Sequence, residues 1–237
     1  MDLAEKVALV TGGGGHLGSA VVRRLLTAGA HVVACEHRQE KLDALVAELP
    51  DDAAISAIAC DVTDEDEVAA MIRRIRDEQG GLYALLNIVG GFAGGSNIAE
   101  TDLETWHRMF RLNLTSMFLC CKHALPPMLE AGGGRIVSIS SKAAEDLPAG
   151  RAAYAVAKAG VLNLTECLSK ELAGTGVACA AVLPSIIDTP ETRKARPKAD
   201  PSRWVTPGSI ANVLAWLISE EAGAVNGSVL RLYGELT

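Results

Sequence analysis

A short apolar run, Val7-Ala-Leu-Val10, leads directly into Thr11-Gly-Gly-Gly-Gly-His-Leu-Gly18. The run reads as a buried strand, and the residues from Ser19 to about Ala28, closed by Gly29, read as a helix. A strand, a glycine turn and a helix start together make a phosphate site. Glycines let the backbone approach a pyrophosphate, while the helix N-terminus offers unpaired N–H groups and positive dipole. Gly13, Gly15 and Gly18 satisfy the G-x-G-x-x-G spacing. Four consecutive glycines could otherwise be only a flexible turn, and the flanking elements are what favour a nucleotide.

Apolar strand-length runs then alternate with helix-length polar segments to the end of the chain. Candidate strands are His31–Glu36, Ile55–Cys60, Tyr83–Asn87, Arg135–Ile139, Val177–Leu183 and Val229–Tyr233. This pattern predicts an α/β fold: one doubly wound, mostly parallel sheet of about seven strands with helices on both faces. No linker composition or internal period divides residues 1–237, so one domain is expected. Pro126-Pro127 should kink or end the long helix of 101–130 near Ala124. Asp61, with Thr63, is a candidate cap for the helix at about Asp64–Gln79. Residues 190–204, basic and proline-bearing, read as a short lid over a substrate.

Chemistry concentrates between Arg135 and Lys158. The strand ending in Ser140-Ser141 reaches the carboxyl edge, where open α/β sheets place ligands. Tyr154 and Lys158 follow on an Ala-rich helix, at i and i+4 on one face. A free tyrosine titrates near ~10, so acid/base work at neutral pH asks for a shift of about three units, roughly 4 kcal/mol. One cation about 4 Å away, at an effective dielectric near ~20, supplies about that much. On the Tyr-x-x-x-Lys spacing alone, a surface pair on an amphipathic helix is the plainer reading.

Ser141 lies thirteen residues before Tyr154, and with the Thr11–Gly18 loop this arrangement resembles the short-chain dehydrogenase/reductase family over essentially the whole chain. The resemblance implies hydride transfer between a nicotinamide cofactor and a carbonyl or secondary alcohol. It assigns catalysis to Asn113, Ser141, Tyr154 and Lys158, with Tyr154 as acid/base, Lys158 lowering its pKa, and Asn113 holding a water that links Lys158 to solvent. The cofactor would be held by Gly12, Gly13, Gly15, His16, Leu17 and Gly18. Further cofactor contacts would come from Asp61 and Val62 at the adenine, Asn87 and Gly90 in the cleft, Tyr154 and Lys158, and Pro184, Ile187 and Thr189 at the nicotinamide. Phe92, Ser141, Leu147 and Ile186 would line the substrate pocket. Glu36, eighteen residues after Gly18, can accept bonds from ribose hydroxyls and repel a 2′-phosphate, which favours NAD(H). His37 and Arg38 could offset that charge and keep NADP(H) possible. The family pattern is broken at His16, which stands in place of a glycine, at Ile88-Val89 and at Ser185. His16 has two open roles, bonding a phosphate or facing solvent.

The net charge of −7 and pI near 5.3 argue against nucleic acid as a partner, and no apolar run approaches a membrane span. Six cysteines without CxxC or metal spacing read as reduced thiols with no metal role. The first strand, from about Lys6, leaves no room for a leader, so a cytoplasmic protein is expected. By resemblance the chain is expected to form a homodimer or homotetramer. Two alternatives stand beside this reading. One is a non-catalytic nucleotide-binding regulator or scaffold, suggested by the departures. The other is an NADP-dependent 3-oxoacyl-acyl-carrier-protein reductase, which would need basic side chains such as Arg135, Arg151 and the 190–204 loop at the site mouth.

Overall fold

Successive residues of a strand point to opposite sides of a sheet, and here both sides are apolar. Ala8 and Val10 belong to one buried cluster, while Leu9 belongs to the other. The same split separates Val32 and Ala34 from Val33 and Cys35. A strand apolar on both faces must be covered twice, and that requirement drives a parallel, helix-sandwiched sheet. The computed structural model, which describes residues 2–236, has this sheet. Its strands are β1 (Val7–Thr11), β2 (His31–Glu36), β3 (Ile55–Ala59), β4 (Ala84–Asn87), β5 (Gly134–Ile139), β6 (Val177–Pro184) and β7 (Ser228–Leu232). They lie in the order β3-β2-β1-β4-β5-β6-β7, and every pair is parallel.

Helices α1 (His16–Thr27), α2 (Gln39–Ala47) and α9 (Pro207–Leu217) cover one face through Val21, Leu25, Leu42, Ile210 and Leu214. The other face is covered by α3 (Glu65–Gln79), α5 (Ser116–Glu130) and α7 (Ala152–Glu171), through Ile72, Ile75, Met117, Val161 and Leu168. Between them lie α4 (Leu103–Phe110), α6 (Ala143–Asp146) and α8 (Pro190–Ala195). The chain builds outward from β1 to β3, then returns to place β4 beside β1 and builds the other way. The carboxyl ends of β1 and β4 are therefore the switch point where a crevice opens.

Two local expectations fail. Helix α5 does not end at Ala124; it runs through Pro126 and Pro127 to Glu130. The prolines remove two amide donors, but Ala124 and Met128, both fully buried, hold that face on the sheet. The helix stops at Gly132, whose φ of 76° permits the left-handed turn and lets Gly133 N–H donate to Met128 O at 3.0 Å. The cap of α3 is Asp64, accepting from Glu67 N–H at 3.0 Å, rather than Asp61 or Thr63. Asp61 instead closes its own turn, accepting from Thr63 N–H and Oγ1 at 2.9 and 2.8 Å. All six cysteines are unpaired, and only Cys167 is exposed. Among the described residues no helix is long and apolar enough to cross a membrane.

Candidate active site

The glycine loop leaves β1 and enters α1 with almost no spare volume. Gly12 adopts φ 69°, and a Cβ built on Gly18 would stand 2.0 Å from Gly12 O. Only a hydrogen at that position lets α1 start directly against the turn. A Cβ on Gly13 would come within 3.0 Å of the Ala34 Cβ, and one on Gly14 within 2.7 Å of the Lys41 Cβ. Gly15 is the N-cap of α1 and supplies no side chain to its first turn, while Leu17 is buried beneath the loop. The backbone N–H groups of the first turn thus face the crevice without a competing cap.

Glu36 ends β2 beside this loop and is only 6% exposed, with its Cγ 3.3 Å from where a Gly14 Cβ would be. His37 Nδ1 lies 2.7 Å from Glu36 Oε1, and Arg38 Nε 4.0 Å from it. His37 is therefore paired with Glu36, while Arg38 stands equally far, 4.0 Å, from Glu36 and from Glu40. A glycine cradle and a buried carboxylate one strand away fit a dinucleotide bound by its pyrophosphate and a ribose. Val62 is buried in the core, and Asp61 remains at the surface beside it.

At the switch point Thr11 ties β1 to the exit of β4. Its Oγ1 accepts from Ile88 N–H at 3.0 Å and Val89 N–H at 3.3 Å. Sequence reading assigned Thr11 no such role, because a threonine ending a strand is unremarkable by itself. Asn87 cross-links β4 to β5, donating to Ser138 Oγ at 3.1 Å, and its Oδ1 has no partner among the described residues.

Asn113 lies in a π-helical segment, Arg111–Thr115, joining α4 to α5. The widened turn is a common mark of functional helices. Its buried carboxamide accepts from Gly91 N–H at 3.1 Å and donates to Gly91 O and Met109 O at 3.0 and 2.9 Å. A Cβ on Gly90 would meet Asn113 Oδ1 at 2.8 Å and Lys158 Nζ at 3.2 Å. Gly90 is thus the gap through which these two polar groups approach each other.

Lys158 is 4% exposed and held at both ends. Its Nζ donates to Ile139 O at 2.8 Å, and its carbonyl accepts from Ser140 Oγ at 2.7 Å. Burial pulls its pKa down from 10.5 to about 8. The Ser141 hydroxyl stands beside Tyr154, and its Oγ accepts from Ala143 N–H at 3.2 Å. Burial raises the Tyr154 pKa, against the opposing effects of the nearby Ser141 hydroxyl and the Arg151 charge. This corrects the electrostatic expectation: the protein alone does not acidify the phenol through Lys158. The ammonium is turned to the end of β5, where a carbonyl satisfies it. Ser140, overlooked beside Ser141, does the orienting.

Around this group stand three loops. Phe92, 57% exposed, meets Tyr154 edge-on with ring centroids 5.1 Å apart. Leu147, at φ 47° after α6, projects an exposed side chain. Ile187 bridges to Val205, using Ile186 O (from Val205 N–H) and Asp188 N–H (to Val205 O), each at 2.9 Å. That register leaves the Ile187 N–H and C=O pointing away from Val205. Pro184 closes β6, and Ser185 Oγ donates to Tyr233 O at 2.8 Å. Thr189 caps α8, its hydroxyl oxygen accepting from Thr192 N–H at 3.2 Å. His16 faces solvent, half exposed, and its Nε2 also lies 2.9 Å from Glu191 Oε1, a contact the sequence did not foretell that joins the glycine loop to α8. Arg135 sits at the opposite, amino end of the sheet, bonded to Gly134 O and Gly176 O. It cannot serve the site mouth.

A family model described as short chain dehydrogenase matches residues 6–200. The chain belongs to the short-chain dehydrogenase/reductase family. It is 36% identical to a cis-4-hydroxycyclohexanecarboxylate dehydrogenase of Sinomonas cyclohexanicum, over 99% of this chain and 97% of that one. It is 31% identical to a 3-oxoacyl-acyl-carrier-protein reductase of Thermotoga maritima, over 100% and 99% of the two chains. A short-chain type dehydrogenase/reductase from Mycobacterium ulcerans superposes with a TM-score of 0.94 at 30% identity, covering 100% of this chain and 91% of that one. As a short-chain dehydrogenase/reductase the protein is an oxidoreductase of alcohol and carbonyl groups using NAD(P)(H). The enzyme reading therefore displaces the non-catalytic alternative, and the reductase of acyl carriers is one relative among several kinds.

Proposed function

We propose that this short-chain dehydrogenase/reductase interconverts a carbonyl and a secondary alcohol with Tyr154 as the proton donor and acceptor. The observation that carries the reading is the placement of the Ser141 hydroxyl beside that of Tyr154, near enough to act on its pKa, with Lys158 fixed at Ile139 and Gly90. In the reducing direction the substrate oxygen takes its proton from the Tyr154 hydroxyl while the Ser141 hydroxyl holds the same oxygen. A phenol whose pKa is raised by burial is protonated at neutral pH and ready to donate. Lys158 bears the compensating positive charge when the phenolate forms, and with Tyr154 it holds the nicotinamide ribose. The bound nicotinamide supplies or accepts the hydride. Asn113 fixes Gly90 and Gly91 at the floor of the cleft and links Lys158 to solvent through water.

Binding of the cofactor falls to the Gly12–Gly18 loop for the pyrophosphate and to Asp61 with Val62 for the adenine. Asn87 and Gly90 line the cleft, and Pro184, the Ile187 backbone and Thr189 hold the carboxamide. Glu36, buried beside the glycine loop with His37 paired to it, favours NAD(H) over NADP(H). Residues 190–204 act as the lid, and the His16–Glu191 pair draws it toward the phosphate loop. Leu103, Phe118, Leu129 and Val156, all exposed on α4, α5 and α7, support association of this single-domain chain as a homodimer or homotetramer. Light scattering in solution tests that association.

The mechanism is tested by Tyr154→Phe. The variant is expected to lose roughly two to four orders of magnitude in kcat while binding NADH, followed by its fluorescence, with unchanged affinity. A variant that keeps wild-type turnover overturns the assignment.

A further inference from the structure

The cations around the mouth are not equivalent. Arg193 makes two bonds to Asp188, at 2.6 and 2.7 Å. Lys142 donates to both carboxylate oxygens of Asp146 at 2.8 Å, and Arg231 grips Glu145, which also accepts from the Tyr233 hydroxyl at 2.7 Å. Arg151 differs. Like the exposed Lys194, Arg196 and Lys198 of the 190–204 segment it has no carboxylate partner among the described residues, but unlike them its guanidinium is held, 5.4 Å above the centre of the Phe92 ring. That ring is the one meeting Tyr154. The arginine sits three residues before Tyr154, at the position preceding α7.

This is a built wall and not a side chain adrift on the surface. Gly95 N–H donates to Gly150 O at 2.8 Å, pinning the Phe92 loop to the turn before α7. A Cβ on Gly94 would strike both Arg151 Cγ and Phe92 Cζ at 3.0 Å, so the aliphatic stem and the ring rim are packed against that glycine. Stacking on an aromatic face desolvates one side of the guanidinium yet leaves its edge donors open to a planar acceptor. Arg151 is also close enough to act electrostatically on the Tyr154 hydroxyl. A chain of net charge −7 thus holds an uncommitted cation beside the group that reacts.

Resting on the proposed hydride transfer at Tyr154, we infer that the substrate is an oxo or hydroxy acid. Its carboxylate is taken by Arg151 and its apolar body lies along Phe92. The carboxylate is separated from the reacting carbon by an apolar spacer, because the guanidinium reaches the site across the Phe92 ring. Neutral carbonyl compounds of the same size would fill the apolar wall and leave the arginine unmatched.

Two measurements on the full-length protein separate this inference from the reading beneath it. In the first, 4-oxocyclohexanecarboxylate and the neutral 4-methylcyclohexanone are reduced with NADH and NADPH. The wild type is expected to favour the acid in kcat/KM, and Arg151→Gln to cut the acid-to-ketone ratio by about ten-fold, with Arg151→Lys restoring part of it. In the second, cyclohexanecarboxylate, which has no carbonyl to reduce, is titrated into the enzyme–NADH complex by fluorescence. Its Kd is expected to rise about ten-fold in Arg151→Gln. Turnover of ketones with an acid-to-ketone ratio indifferent to Arg151 overturns the inference and leaves the hydride-transfer reading standing. Arg151-dependent binding of cyclohexanecarboxylate, with no carbonyl compound reduced, supports the carboxylate site and removes the hydride-transfer reading.

Discussion

The proposed cofactor side and the proposed substrate side of the crevice are built on opposite principles. At Gly12, Gly13, Gly14 and Gly18 the loop leaves no room or no conformation for a side chain, and the neighbouring carboxylate of Glu36 is buried. Across the crevice, Phe92 and Leu147 hold large apolar groups in the open, on loops tied by single backbone bonds such as Gly95 to Gly150. On the reading proposed above, one side recognises a constant partner through main-chain shape, and the other a variable one through replaceable side chains on a fixed scaffold. Between them stand Tyr154 and Lys158 on α7, rooted in the sheet through Ser140 and Ile139.

The contrast breaks most visibly at Gly18. Gly18→Ala forces a methyl group onto Gly12 O, and the expected result is a loss of about 3 kcal/mol or more together with lost NADH binding. Phe92→Ala, on the other wall, is expected to change stability by less than about 1 kcal/mol and to act on KM instead. Thermal unfolding and NADH titration of the two variants check this. Comparable destabilisation in both would erase the distinction.

Lys158 gives a second, pH-dependent handle. Its folded pKa, about 8, lies below its ordinary 10.5, so between those values the unfolded chain carries more protons than the folded one. Stability from this group therefore rises as pH increases through that window, and below about 8 the buried charge opposes folding. Lys158→Met is expected to remove turnover, and its stability relative to wild type should fall by roughly 3 kcal/mol as pH climbs from 8 to 10.5. Denaturant melts at several pH values read this directly, and a difference constant with pH would contradict it. The smallest effect belongs to the tie between the two sides. Glu191→Gln is expected to weaken NADH binding by about two- to five-fold, as for an exposed ion pair. Stopped-flow dissociation of NADH measures it.

Much of this was legible in the chain. Strand-length apolar runs and the glycine loop foretold seven parallel strands in a doubly wound sheet, because two-sided burial and a phosphate turn each leave few alternatives. Asn113, Ser141, Tyr154 and Lys158 were legible as candidates, and the fold brings them to one end of the sheet. What stayed hidden depends on distance in sequence or on competition between nearby donors. His16 and Glu191 are 175 residues apart, and no local pattern joins them. Asp64 prevailed over Asp61 and Thr63 as a cap because its carboxylate reaches Glu67 N–H, while Asp61 is spent on Thr63. The i, i+4 spacing placed Tyr154 and Lys158 on one helix, but could not reveal that the Ile139 carbonyl takes the ammonium first. Nor could spacing show α5 surviving two prolines, since buried Ala124 and Met128 decide that.

The central claim is that Tyr154 delivers the proton for a hydride transfer made in this crevice. The direct measurement supplies the enzyme with NADH carrying deuterium at both C4 positions and a cyclic ketone, then weighs the alcohol formed by the wild type and by Tyr154→Phe. One deuterium at the carbinol carbon of the wild-type product, with almost no product from the variant, is the result predicted. An alcohol without the label, or labelled alcohol formed equally fast by the variant, would contradict it.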